Sequence, residues 1–328
     1  MQGGRRSGAG RPLTHMRRYS FLGHRILQMI PVLLGITVIT FFLLRLIPGD
    51  PARQILGQHY TPQSGAELRR ALGLDRPLWD QYGLFMKHLF QGSLGDSINY
   101  QQPTTTVISQ RLPATLFLVV YSAVMAAVIA VPVGVCSALR KGGIFDQVAR
   151  VWFLVAYAMP AFWLGIIMIL IFAVHLHLFP VNGYGTGFTG HLRYLFLPAM
   201  TIAVAFSTVL VRTLRASTLA VLATDYVDTA RIKGISRFAV LRRHVVRNAI
   251  ISLVVVFGVN LAFLVSTTVL IENVFGIPGL GRLLVDSVST RDYTVVQGTT
   301  LVFAFFVVMV NLLTDVVHAA LDPRVSAA

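Results

Sequence analysis

Asp225 to Asn248 reads DYVDTARIKGISRFAVLRRHVVRN, a polar and strongly basic stretch set between apolar runs at Tyr194 to Leu214 and Ala249 to Ile271. Each flanking run is long enough to cross roughly 30 Å of hydrocarbon as a helix. Charge at the bilayer centre is expensive and backbone there must satisfy its own hydrogen bonds, so a basic stretch between two such runs is a loop on one side of a membrane. Working outward from it, four more runs reach spanning length, at Ile26 to Leu46, Leu112 to Leu139, Val151 to Phe179 and Val295 to Leu321. The expected fold is an all-α polytopic membrane protein with six transmembrane helices.

Composition agrees with that reading. The 328 residues are 55% hydrophobic and 12% charged, with a mean hydropathy of +0.69, which excludes an ordinary soluble domain. A net charge of +15 raises nucleic acid as a partner. A nucleic-acid binder gathers its bases on a soluble domain with stacking aromatics, whereas here they lie in short loops beside apolar runs, so no nucleic acid is expected. The single cysteine, Cys136, lies inside an apolar run and has no intrachain partner for a disulfide; it reads as a packing residue.

Sorting Lys and Arg by alternate loops sets the orientation. One side holds 18 of them, in the N-terminal tail through Arg25, the Arg140 to Arg150 loop, the Arg212 to Arg247 stretch and Arg324; the other side holds 9. The richer side is cytoplasmic by the positive-inside rule, which places both termini and the basic loop in the cytoplasm. Residues 1–24 read as a basic, disordered cytoplasmic tail and 25–47 as the first span. Residues 48–111 read as an extracytoplasmic lobe with short helices, for which Thr61-Pro62 and Arg76-Pro77 are start signals. The transmembrane core runs over 112–321, with a cytoplasmic loop at 217–248 and a short cytoplasmic tail at 322–328.

Several chemistries are missing. The 13 Asp and Glu fall in loops or span ends, with Glu272 and Asp315 alone near hydrocarbon, which weakens a proton-driven carrier. The three lysines, Lys87, Lys141 and Lys233, follow Met86, Arg140 and Ile232, so no Gly-Lys-Ser/Thr phosphate loop exists. Any ATP has to be hydrolysed by another subunit, and the chain is not itself expected to be an enzyme. His175 and His177, two residues apart on a helix, point about 200° away from each other and read as interfacial anchors, so no metal site is expected. No Gly-x-Ser-x-Gly elbow accompanies the Ser, His and Asp residues. Polar residues do occur inside spans. Asn260, Ser266 and Thr267 in the fifth are candidates for lining a substrate path, with interhelical hydrogen bonding as the plainer reading.

Within the basic loop, apolar residues from Val227 to Val246 recur at roughly helical spacing, and Gly234 with Ser236 interrupts them. Two short helices joined by a turn are predicted, the alternative being one amphipathic helix lying on anionic lipid.

At this point a resemblance appears. Asp228-Thr229-Ala230, three residues and then Gly234 resemble the Glu-Ala-Ala, three residues, Gly motif of the permeases of binding-protein-dependent ATP-binding-cassette (ABC) importers. Asp225, Arg231, Lys233 and Arg247-Asn248-Ala249 are similar to the dipeptide, oligopeptide and nickel branch of that family. Further motifs follow in order: Ile47-Pro48-Gly49-Asp50-Pro51, Leu72 to Pro77, Gly143-Ile144-Phe145-Asp146, Met159-Pro160-Ala161-Phe162-Trp163, Pro278 to Arg282 and Asp322-Pro323-Arg324. Two departures stand out: Asp228 and Thr229 replace Glu and the first Ala, and Ile251-Ser252 stands where the family generally has Leu-Pro.

The resemblance implies a type I ABC importer permease fold. It implies a heterodimer with a homologous second permease, two cytoplasmic ATPase domains holding ATP and Mg, and an extracytoplasmic solute-binding protein, all set in membrane lipid. No cofactor is implied on this chain. Asp225, Asp228, Thr229, Ala230, Arg231, Lys233 and Gly234 would couple to the ATPase. Short peptides are the leading substrate class; nickel or another small solute on the same architecture is the second, and an ATPase-independent carrier or channel is the reading from another class.

Overall fold

The structure, a computed structural model, describes residues 13–46, 51–71 and 73–321. The first twelve residues, Ile47 to Asp50, Leu72 and Asp322-Pro323-Arg324 lie outside the described residues. Every named element is helical, and an isolated bridge pairs Asp96 with Pro103.

Helix α1 spans Leu13–Leu46. After it come α2 (Pro51–Leu56), a short 3-10 turn (Gly57–His59), α3 (Pro62–Ala71) and α4 (Leu78–Phe90). These begin where the proline signals stand: Pro62 opens α3 and Pro77 immediately precedes α4. An aromatic seam seats α4 on α1. Phe41 meets Tyr82 and Phe85 at ring distances of 5.2 and 5.8 Å, Phe42 meets Trp79 at 5.9 Å, and Tyr82 Oη shares a 2.8 Å hydrogen bond with Thr37 Oγ1.

Then follow α5 (Thr104–Leu139), α6 (Ile144–Ala158), α7 (Ala161–Met168) with a π-helical continuation (Ile169–His175), α8 (Gly187–Tyr194) and α9 (Phe196–Leu222). The predicted third span, Val151 to Phe179, is not one straight helix. The axes of α6 and the α7 segment differ by 108°. Met159 is extended at φ −84°, ψ 136°, as expected of a residue before proline, and Pro160 supplies no N–H to carry the helix through. Prolines 31, 113 and 132, in contrast, remain inside α1 and α5.

The chain ends with α10 (Asp225–Ile232), α11 (Arg237–Val240), a π-helical stretch (Leu241–Val246), α12 (Arg247–Val274), α13 (Leu280–Ser289) and α14 (Tyr293–Leu321). Among the described residues, four helices are long and apolar enough to cross a membrane, the bent pair makes a fifth candidate, and Leu27–Phe42 is a shorter apolar stretch inside α1.

The most extensive helix pair is α5 with α9, and α12 packs on α9 beside it. Small residues on the buried face of α5, Ala114, Ala126, Ala130 and Ala138, let the backbones come close, which is how apolar helices associate where no hydrophobic gradient drives them together. Leu118, Ile202, Leu210 and Leu264 fill the core between these three helices. Cys136 is exposed, contrary to the packing role expected of it, because its neighbours Val135, Ser137 and Ala138 take the inward face. Outward faces of α5 and α12 remain apolar, with Val120, Val128, Val259 and Phe263 all more than 60% exposed, as suits lipid or further helices.

Candidate functional site

The basic stretch folds as two short helices around a turn. Helix α10 ends at Ile232, and Gly234 takes a left-handed φ of +77°. Ile235 N–H then reaches back to Ala230 O at 3.3 Å, the six-to-one bond that closes a helix whose C-terminal glycine is left-handed. Ser236 opens α11, its Oγ accepting from Ala239 N–H at 3.4 Å.

This unit has its own small core of Val227, Ala230, Val240 and Val245, packed against Val221, Leu222 and Leu241. Ala230 is therefore turned inward, where its small size lets α10 lie on the following segment. Asn248 ties the start of α12 to α10: its Nδ2 donates to Tyr226 Oη at 3.1 Å and to His244 O at 2.8 Å.

The outward surface carries the remaining motif residues. Asp225, Asp228, Thr229, Lys233 and Gly234 are exposed, Thr229 Oγ1 donates to Asp225 O at 2.9 Å, and Arg242 and Arg243 are exposed further on. The side chain of Arg231 lies outside the described residues.

Two apolar knobs stand among these charges: Ile232 at 87% exposure and Phe238 at 71%. Both belong to the apolar residues that recur at roughly helical spacing through the stretch. Ile232 lies about 140° round α10 from buried Val227 and Phe238 about 200° round α11 from buried Val240, which leaves both outside. Beside Phe238 a groove of about 790 Å³ runs between the end of α5 and the loop, lined by Leu139, Leu222, Ile235, Arg237 and Leu241. A charged rim around exposed apolar anchors is the usual anatomy of a protein-docking surface.

An ion pair that sequence reading did not single out joins α6 to α9 a little before the loop. Asp146, fully buried in the first turn of α6, receives Arg215 Nε at 2.7 Å and Nη2 at 2.8 Å from α9, and the Gly142 N–H at 2.9 Å. Sequence reading counts Arg215 among the cytoplasmic bases just past the apolar run, and no local pattern ties it to Asp146, 69 residues earlier.

The three path candidates lie along α12 and are not gathered into a site. Asn260 Nδ2 donates to Val256 O at 2.8 Å, Ser266 Oγ to Ala262 O at 3.3 Å and Thr267 Oγ1 to Phe263 O at 3.0 Å. Each of these hydrogen bonds goes to the carbonyl one turn back, and among the described residues none of the three is bonded to another helix. Ser266 is exposed and the other two are half-buried, on the side of α12 that also exposes Val259 and Phe263.

Comparison with known proteins follows the same lines. The profile described as "Binding-protein-dependent transport system inner membrane component" matches residues 130–327, and its N-terminal companion matches residues 18–119. The dipeptide transport system permease protein DppB of Escherichia coli K12 is 36% identical over 332 residues, covering 93% of this chain and 98% of its own length. The di/tripeptide transport system permease protein DppB of Pseudomonas aeruginosa UCBPP-PA14 is 37% identical over 330 residues, with coverage of 93% and 98%. Among solved structures, a chain of the inward-facing MetNI methionine ABC transporter superposes with a TM-score of 0.55 at 18% identity, covering 66% of this chain and 96% of that one; at that identity it speaks for the fold alone.

Proposed function

The chain belongs to the family of binding-protein-dependent transport system inner membrane components, and from that premise we propose that it is the permease subunit of an ATP-driven importer of short peptides. The observation that carries the proposal is the exposed two-helix loop, with Ile232 and Phe238 projecting from a basic surface, on a chain that has no phosphate-binding loop of its own. Peptides are favoured over nickel because the relatives matched over nearly their full lengths are named for dipeptide and di/tripeptide transport.

In this reading the loop faces the cytoplasm together with both termini, and the lobe of α2 to α4 faces outside. Ile232 and Phe238 enter the surface of a separate ATPase subunit, while Lys233, Arg242 and Arg243 meet its acidic or polar groups. Asp225, Asp228 and Thr229 shape the first helix, and Gly234 closes it. The apolar faces of α5 and α12 leave room for a homologous second permease, with Asn260, Ser266 and Thr267 toward the path between the two. An external binding protein delivers the peptide to the lobe side. ATP energy reaches the membrane only if the ATPase pair grips the loop differently in its two states, since a ligand equal for both states shifts nothing.

The test is affinity purification of the chain from membranes in mild detergent, followed by the same purification with Phe238→Asp. An ATPase subunit that accompanies the unaltered chain and is lost with the variant supports the reading. Retention of the ATPase by the variant would count against the loop as its seat.

A further inference from the structure

The helix that starts in the basic loop continues across the whole protein. From Arg237 to Val274 the backbone is helical for 38 residues without a break, about 57 Å by the rise of an α-helix. Its far end carries Glu272, whose side chain is fully buried. One carboxyl oxygen accepts from Thr115 Oγ1 of α5 at 2.6 Å. The other accepts the backbone N–H of Gly281 at 2.7 Å and of Arg282 at 3.2 Å, and Thr115 Oγ1 accepts the Leu280 N–H at 2.8 Å.

The first turn of α13 is thus capped from outside itself. Its own cap residue, Gly279, has no side chain to do so, and a local Ser or Asp would have satisfied the same N–H groups. The glycines explain why the cap can come from another helix. A Cβ at Gly279 would fall on the Glu272 carboxyl group, and one at Gly281 would fall on the backbone of Val269. The chain gives up two side chains so that α13 can press directly on α12.

The far end of α13 is fastened as well. Asp292, just after it, receives Ser97 Oγ at 2.5 Å and the Asn99 N–H at 3.1 Å from the segment before α5, and Asn99 Nδ2 donates to Thr290 Oγ1 at 2.8 Å. Helix α13 is a strut between the end of α12 and the lobe side.

We propose that Glu272 is a positioning residue that makes α13 move as one body with α12, so that displacement of the basic loop reaches the opposite mouth of the protein through a single continuous helix. The direction of the drive rests on the importer reading; the mechanical link does not. A cap that only stabilised α13 would change how much protein folds, but not how well hydrolysis is converted into uptake. A link changes the conversion.

The experiment uses the full transporter complex in proteoliposomes; uptake per ATP is read on chains without labels, and distances on chains that also carry Cys136→Ser with spin labels on Leu270→Cys and Val288→Cys, positions that are 52% and 58% exposed on α12 and α13. With Glu272 in place, the label separation is expected to be narrow and the same with and without trapped nucleotide. Glu272→Ala should broaden it, make it nucleotide-dependent and lower peptide uptake per ATP hydrolysed about tenfold. Glu272→Gln, which keeps an acceptor for the α13 N–H groups, should stay within about threefold of the starting ratio. Should Glu272→Ala fail to accumulate, Thr115→Val removes half of the anchor and is expected to fall between. A narrow, unchanged separation with an unaltered uptake ratio in the alanine variant, or in Thr115→Val where that replaces it, would overturn the proposal. If the unaltered complex imports nothing with ATP, the importer reading fails, and the separation measured with and without Glu272 still decides the link.

Discussion

Replacing Gly234 separates a fault within this chain from a fault at its partner. Its φ of +77° lies where an L-residue is penalised by roughly 1–2 kcal/mol, and a Cβ built on it has nothing within 4 Å. Gly234→Ala and Gly234→Trp therefore share one backbone strain, and the Cβ common to both meets no atom of the described residues within 4 Å. The strain is small beside the packing of α5, α9 and α12, so both variants should insert and fold. They differ only in the volume offered to whatever covers the loop. In proteoliposomes holding the complete complex, uptake and ATP hydrolysis are measured together. The alanine variant should keep most of the uptake per ATP, whereas the tryptophan variant should lose at least about tenfold while hydrolysis continues. Equal ratios for alanine and tryptophan would refute the reasoning, since the space over Gly234 would then be empty in the working complex.

Other perturbations have definite expectations. Arg215→Ala leaves buried Asp146 with the Gly142 N–H and a distant Arg150 contact at 3.8 Å, and should lower stability by about 3 kcal/mol or somewhat less given the 21% exposure of Arg215. Adding Asp146→Ala should recover part of that loss in thermal unfolding of the detergent-solubilised chain; a double variant less stable than Arg215→Ala alone would contradict the buried-charge argument. Phe238→Asp puts a charge on an exposed knob and should leave the chain's own melting temperature unchanged while abolishing ATP-driven uptake; a large fall in melting temperature would mean that Phe238 belongs to the fold. Ser266→Ala should be near neutral for folding, because its hydroxyl is exposed and, among the described residues, donates to Ala262 O of its own helix. Ser266→Trp should block uptake without affecting insertion if α12 lines the path, and normal uptake would remove Ser266 from it.

Much of the architecture was legible because apolar run length is a strong signal. The run read as ending at Leu139 ends there as a helix, and the run read from Val295 starts two residues inside α14. The bend at Met159-Pro160 was missed because hydropathy does not register backbone angles; only the proline announced it. The turn at Gly234 was legible, yet which side chains it turns outward was not. Ile232 stands five residues from Val227 on α10, about 140° round the helix, and Phe238 two residues from Val240 on α11, about 200° round, so each falls on the face away from the small core. Glu272 was visible as a carboxyl group near hydrocarbon, but its partners lie 157 residues away at Thr115 and on backbone N–H groups, which no local pattern encodes. Arg215 and Asp146, 69 residues apart, were hidden for the same reason.

The measurement that bears most directly on the account is labelled dipeptide uptake into proteoliposomes, comparing this chain alone with this chain plus its second permease, ATPase subunits and external binding protein. Uptake that requires ATP and every one of those components is the result predicted. Dipeptide accumulation by the chain alone, without an ATPase, would contradict it.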